Sequence, residues 1–162
     1  MKKKKQPKIC FISSSGGHFS ELNKLKSIAD ENNSFLVVEK TKNFSTDFCK
    51  KVYYIPETNR KERFFIIRFL FLCIREFFIF IKERPDIVLT AGALASFPMA
   101  KFAKMFRKKV IYIESYARVN ELSLTGKKMY DIADLFLVQW PQLADKYEKA
   151  EYHGSIFGGE VR

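Results

Sequence analysis

Six short runs of β-branched and aromatic residues, each stopping at a polar or glycine-bearing loop, constrain this chain more than any other feature. They are Lys8 to Ser13, Phe35 to Glu39, Val52 to Ile55, Asp86 to Thr90, Val110 to Ile113 and Leu135 to Val138. Helical patterns stand between most of them. Leu22, Leu25, Ile28 and Ala29 recur at helical spacing, another helix begins near Phe97-Pro98, and a third pattern runs from Leu124 to Ala133. Strands alternating with helices, with no long polar linker, predict an α/β domain: a Rossmann-like parallel sheet with helices on both faces. At 162 residues and 47% hydrophobic content the chain has the length of one domain and ample side chain for a core, which excludes a disordered protein. The domain is expected over residues 8–157, after a basic tail at 1–7 and before a short tail at 158–162.

A formal charge of +11 calls for an acidic partner: nucleic acid, anionic lipid or a phosphorylated substrate. Lys2, Lys3, Lys4 and Lys5 form an unbroken basic run with no apolar stretch behind it, so it reads as neither a signal peptide nor a membrane span. It suits either an anionic membrane surface, at about 1 kcal/mol per basic residue, or a solvated tail. No RNA-recognition, zinc-finger or helix-turn-helix pattern is present, so nucleic-acid binding would rest on charge alone, and none is expected. Cys10, Cys49 and Cys73 show no paired spacing and fit a reducing compartment.

The stretch from Phe64 to Ile81 approaches the length of a bilayer span, but Arg68, Arg75 and Glu76 fall inside it. On a helix, Lys61, Arg68, Arg75 and Lys82 recur every seven residues and form one basic stripe that drifts by only about 20° per step. The remaining apolar arc exceeds the ~100° needed to cover one sheet face. The surplus, together with a content of 17 Phe, points to lipid headgroups beside Arg68 and Arg75, to a protein partner, or to deep burial.

Loops that leave the carboxyl ends of parallel strands line the ligand crevice, so two of them draw attention. Ser13 to His18 joins the first strand to the first helix, where backbone N–H groups and glycines let an anion approach. Glu39 ends the second strand as a ribose-binding acid would, but the third glycine of a dinucleotide fingerprint is missing. His18 suits a base or a phosphate contact, or is an ordinary helix-start histidine. The loop after Ile113 gathers Glu114, Ser115, Tyr116, Arg118 and Asn120. No cluster has metal-ligand spacing and no G-x-S-x-G elbow occurs, so neither a metal, another cofactor nor a serine hydrolase is expected.

Several of these residues fall into one pattern: Ser15-Gly16-Gly17-His18 with Glu21-Leu22, Thr90-x-Gly92 through Pro98, Ile113-Glu114-Ser115-x-Ala117-Arg118-Val119, Leu122-Ser123-Leu124-x-Gly126, Ala133-Asp134 and Val138-Gln139-Trp140-Pro141. From about Lys8 to Phe157 the chain closely resembles oligosaccharide-biosynthesis proteins that form the acceptor half of a split glycosyltransferase. The eukaryotic member is the membrane-bound partner of the dolichol-pathway N-acetylglucosaminyltransferase; bacterial relatives are the CpsF and PssD types of capsule and exopolysaccharide pathways.

The resemblance implies the N-terminal half of a two-domain GT-B fold, with the donor-binding catalytic subunit a separate polypeptide. It implies an accessory subunit of an inverting, metal-independent UDP-sugar transferase that recruits its partner to the membrane and presents a lipid diphosphate-linked sugar acceptor. By position, Ser15, Gly16, Gly17, Gly92, Ser115 and Arg118 would bind the acceptor, and either His18 or Glu114 would be the base. Phe157 and Val161 in the C-terminal segment would dock the partner. Eukaryotic members typically carry an N-terminal spanning helix that this sequence lacks, so a bacterial-type protein, peripheral on the cytoplasmic face of the cell membrane, is expected. A self-sufficient dimeric transferase is the alternative, with a basic nucleotide-binding module behind it.

Overall fold

The computed structural model describes residues 6–42, 44–58 and 63–158. Seven parallel strands form one sheet in the order β3-β2-β1-β4-β5-β6-β7: β1 Lys8–Ser13, β2 Asn33–Glu39, β3 Val52–Ile55, β4 Ile87–Ala91, β5 Lys109–Ile113, β6 Leu135–Val138 and β7 Ala150–Tyr152. The predicted Rossmann-like α/β class is the one observed. The expected continuous first helix is two short ones, α1 Gly17–Asn23 and α2 Lys26–Glu31, and a helix α6 (Pro141–Lys146) with β7 extends the sheet beyond the six predicted strands. Pro141 opens α6 at a position where a missing N–H costs nothing.

Helices cover both faces. Leu22 of α1, Ala29 of α2 and Phe48 pack on one face against Phe11, Leu36 and Val38. On the other lie α3 (Phe65–Glu83), α4 (Phe97–Met105), α5 (Leu124–Met129) and α6, which contribute Leu72, Phe80, Met99, Met129 and Leu143. Near the amino ends of the strands, Asp86 accepts the Lys8 N–H and Asp134 the Val110 N–H, tying the inter-element turns to the sheet.

The long helix α3 takes a position between the readings offered for it. Leu72, Ile79 and Phe80 are buried, while Ile66, Phe71 and Phe78 are 80%, 63% and 67% exposed, with Arg68 and Arg75 exposed among them. Lys61 lies outside the described residues. Among those residues no helix is long and apolar enough to cross a membrane.

Glu76 sits on the buried side of α3 with no exposed surface, and neither of its carboxylate oxygens has a hydrogen-bond partner. Burial pushes its carboxyl well above the usual range, and the nearby Glu39 adds to the rise. The folded state therefore holds its proton more tightly than the unfolded chain, and stability falls as pH rises above about 4.5. Glu76→Gln should lose this slope and exceed wild type by about 1 to 3 kcal/mol at pH 8, with little difference at pH 4.5, measured by urea unfolding. Glu83 has the opposite sign. Burial opposes ionisation, but hydrogen bonds from Lys51, Lys8 and Tyr53 hold its carboxyl down to about 2.

Candidate functional site

The strand order reverses between β1 and β4, and the loops leaving these two strands part to form a crevice, as open α/β sheets do at such a point. A cavity of about 510 Å³ opens there, and Ser14, Ser15, His18, Gly92, Ser115 and Arg118 are on its wall. Glu39, Glu57, Thr58, Ser123 and Thr125 complete its polar lining.

The β1–α1 turn needs Gly16, whose φ of 85° is left-handed and costs a residue with a Cβ. Gly17 leads into α1, and a Cβ at either glycine would meet nothing within 4 Å. Both are exposed and shape the loop while Ser14, Ser15 and His18 face the cavity. The Nδ1–Cε1 edge of the His18 ring lies close against Gly92. A Cβ at Gly92 would come within 2.7 Å of His18 Nδ1 and Cε1, and the φ of 71° there independently selects glycine. The Nδ1 atom is sealed from solvent and has no hydrogen-bond partner.

Glu114 is placed differently from the expectation that put it among the reacting groups. It is 0% exposed, beneath the β5 loop rather than on the cavity wall. Its Oε1 accepts from the Ser115 N–H at 2.9 Å and the Tyr112 hydroxyl at 3.2 Å, while Oε2 accepts from the Ser123 N–H at 3.0 Å and the Ser123 hydroxyl at 3.3 Å. A carboxylate with four donors around it and no solvent path holds a loop in shape. Ser123 in turn caps α5, accepting the Gly126 N–H at 2.8 Å.

A second buried carboxylate, Glu21 of α1, was missed as a site residue although it lies in the motif. Its Oε1 accepts from the Ser115 hydroxyl at 2.8 Å, and both oxygens face the Tyr116 N–H at 3.2 and 3.3 Å. Gln139 at the end of β6 donates to Glu21 Oε2 at 3.2 Å and to the Glu114 carbonyl at 2.9 Å. This network ties the His18-bearing helix to the Arg118-bearing loop. Its signals in sequence were a carboxylate one helical turn after His18 and an amide at a strand end.

Glu39, set aside as a ribose acid, stands on the cavity wall. Burial raises its carboxyl above the usual range, with hydrogen bonds from the Thr58 hydroxyl and N–H opposing. At the outer rim Tyr116 stacks near Trp140 at 4.9 Å and meets the Phe157 ring at 5.1 Å, and the Trp140 indole N–H donates to the Tyr116 carbonyl at 2.7 Å. Lys2 to Lys5 and Val161 lie outside the described residues.

A Rossmann-like domain with a polar crevice at its strand reversal is similar in fold to one half of two-domain GT-B proteins. UDP-N-acetylglucosamine 2-epimerase from Rickettsia bellii superposes with a TM-score of 0.67 at 18% identity, over 94% of this chain and 46% of that one. MurG of Acinetobacter baumannii does so at 0.63 and 12% identity, over 84% of this chain and 42% of that one. The chain belongs to the family of Alg14-like oligosaccharide biosynthesis proteins, whose family model matches residues 61–156.

Its relatives include the UDP-N-acetylglucosamine transferase subunit ALG14 of Debaryomyces hansenii, 33% identical over 175 residues that cover 91% of this chain and 75% of that protein. The protein of the same name from Yarrowia lipolytica is 43% identical over 82 residues, 46% of this chain. That match spans only 38% of the Yarrowia protein's length. Human, rat and mouse proteins of this name also match. These eukaryotic relatives correct the expectation of a bacterial-type member.

Proposed function

We propose that this chain is the acceptor-binding, accessory subunit of a two-component UDP-sugar glycosyltransferase. One observation carries the reading: in a chain related to named transferase subunits, a polar cavity lies at the strand reversal between β1 and β4, where open α/β sheets bind their ligands, with His18 and Arg118 on its wall. Arg118 and the serines would hold the diphosphate of a lipid-linked sugar. His18 would take the proton of the acceptor hydroxyl as that oxygen attacks the anomeric carbon of the sugar held by the donor-binding subunit. The C1–O bond to UDP breaks as the new glycosidic bond forms, with inversion. Glu114 and Glu21 are positioning residues in this scheme, since both are enclosed by donors.

Membrane recruitment is part of the proposal. The exposed apolar side of α3, flanked by Arg68 and Arg75, suits the headgroup region of an anionic leaflet on the cytoplasmic face. Replacing Arg68 and Arg75 with Glu should cut co-sedimentation with anionic vesicles severalfold, more steeply at low salt; unchanged sedimentation would refute the lipid contact. Phe157, exposed and packed on Tyr116, is the proposed contact for the donor-binding subunit. The sequence reading set the product in a capsule or exopolysaccharide; with eukaryotic relatives at hand, the proposal is confined to a lipid-linked glycan.

Calorimetric titration tests the half-site assignment. The chain alone should bind a lipid diphosphate-sugar analogue and fail to bind UDP-N-acetylglucosamine, whereas tight binding of the nucleotide sugar by the isolated chain would overturn it.

A further inference from the structure

The wall of the polar cavity changes charge from one side to the other. Glu39 ends β2 and Glu57 follows β3, whereas Arg118 stands in the loop after β5, and His18 and Gly92 come from the loops after β1 and β4. In the order β3-β2-β1-β4-β5, the strands that lead to Glu39 and to Arg118 are three spacings apart, about 14 Å. One phosphate group does not fill that span.

Glu39 is 5% exposed, yet only half of its carboxylate is used. Its Oε1 accepts from the Thr58 N–H at 2.9 Å and from the Thr58 hydroxyl. Among the described residues no hydrogen bond reaches Oε2, and that atom is not sealed from solvent. A carboxylate taken so far out of water, with one oxygen left over on a cavity wall, lacks donors that a ligand can supply. Glu39 and Glu57 repel phosphate from their side, so an anionic group belongs beside Arg118. Nor are the two acids part of an ion site, for among the described residues no three side chains of metal-binding type come together. A donor without negative charge suits this side, and the Thr58 hydroxyl already shows the carboxylate accepting from such a group.

We infer that Glu39 is a substrate-binding residue that reads the sugar of the acceptor: its Oε2 accepts from ring hydroxyls while the diphosphate lies beside Arg118. The order of the strand ends then lays the ring past His18, between phosphate and acid. This rests on the acceptor-site reading above and adds to it the direction of the ligand in the crevice and the residue that selects its sugar.

The test titrates the full chain with methyl diphosphate and with the same group esterified to N-acetylglucosamine, glucose or galactose. At least one sugar ester should bind about tenfold tighter than methyl diphosphate, a ratio that one hydrogen bond to a charged group supplies. Glu39→Gln keeps an oxygen for Thr58 and turns the unused oxygen into an NH₂ donor. It should erase the advantage of the sugar, while methyl diphosphate binds as well or better because a negative charge has left the cavity. Equal weakening of both kinds of probe would make Glu39 a prop for the Thr58 segment and overturn the assignment, as would a sugar advantage that survives the substitution. Equal affinity of wild type for all four probes overturns it too and leaves the phosphate side of the site intact. If no probe binds wild type, the acceptor-site reading itself fails and the sugar contact falls with it.

Discussion

His18→Ala is expected to lower sugar transfer by the assembled enzyme about 10²- to 10⁴-fold, the range a positioned proton acceptor supplies. The loss should fall on kcat, with KM for the acceptor little changed, because Arg118 and the serines remain on the wall. The histidine is well suited to a defined orientation: its ring rests on Gly92 with no room for a Cβ between them, and α1 is fixed through Glu21 to the loop after β5. A variant that keeps full kcat would remove His18 from the chemistry.

Gly126→Ala is expected to have the largest effect on stability of any single methyl addition in the site. The added carbon would collide with Glu114 Oε2 and come within 3.2 Å of Ser123 Oγ, in the middle of the contact that joins α5 to β5. The carboxylate cannot retreat without losing donors, for Ser123 and Tyr112 hold it from two directions and no solvent reaches it. A buried carboxylate stripped of partners costs about 3 to 5 kcal/mol, so denaturant or thermal unfolding should show a loss of that order. A second readout follows from the geometry: the same change should loosen the loop that carries Arg118 and weaken diphosphate binding. A stability within ~0.5 kcal/mol of wild type would show that the loop yields easily and that Glu114 is not its anchor.

The two effects illustrate which parts of the molecule could be read in the sequence. Strand runs such as Val110 to Ile113 carry their own signal, and the glycine turns after β1 and β4 were placed correctly because the backbone needs a positive φ there. The crevice between them follows from the parallel order. By contrast, α6 and β7 are six and three residues long, too short for a period to emerge. The split between α1 and α2 at Lys24-Leu25 has no proline or glycine to announce it.

Side-chain types were legible in the sequence, but side-chain directions were not. Glu114 follows an apolar strand and reads as a residue reaching outward, yet donors from Tyr112, Ser115 and Ser123 turn it inward. Glu21 and Ser115 are 94 positions apart, and nothing in either segment predicts their hydrogen bond. Glu76 counted as one of the charges that argue against a membrane span; the fold instead turns it into the core beside α4. For Glu21 and Glu76 the residue type was visible and its direction was not, because direction is set by the packing of elements distant in the chain; for Glu114 the donors are near in sequence, and the folded loop is what aims them at it.

The most direct test of the account is sugar transfer from a panel of UDP-sugars to a lipid diphosphate-linked acceptor, with this chain alone, a candidate donor-binding subunit alone, and the two together. The account predicts transfer only in the mixture, and its loss there with His18→Ala. Full transfer by this chain without a partner would contradict the half-site reading and make it a complete enzyme.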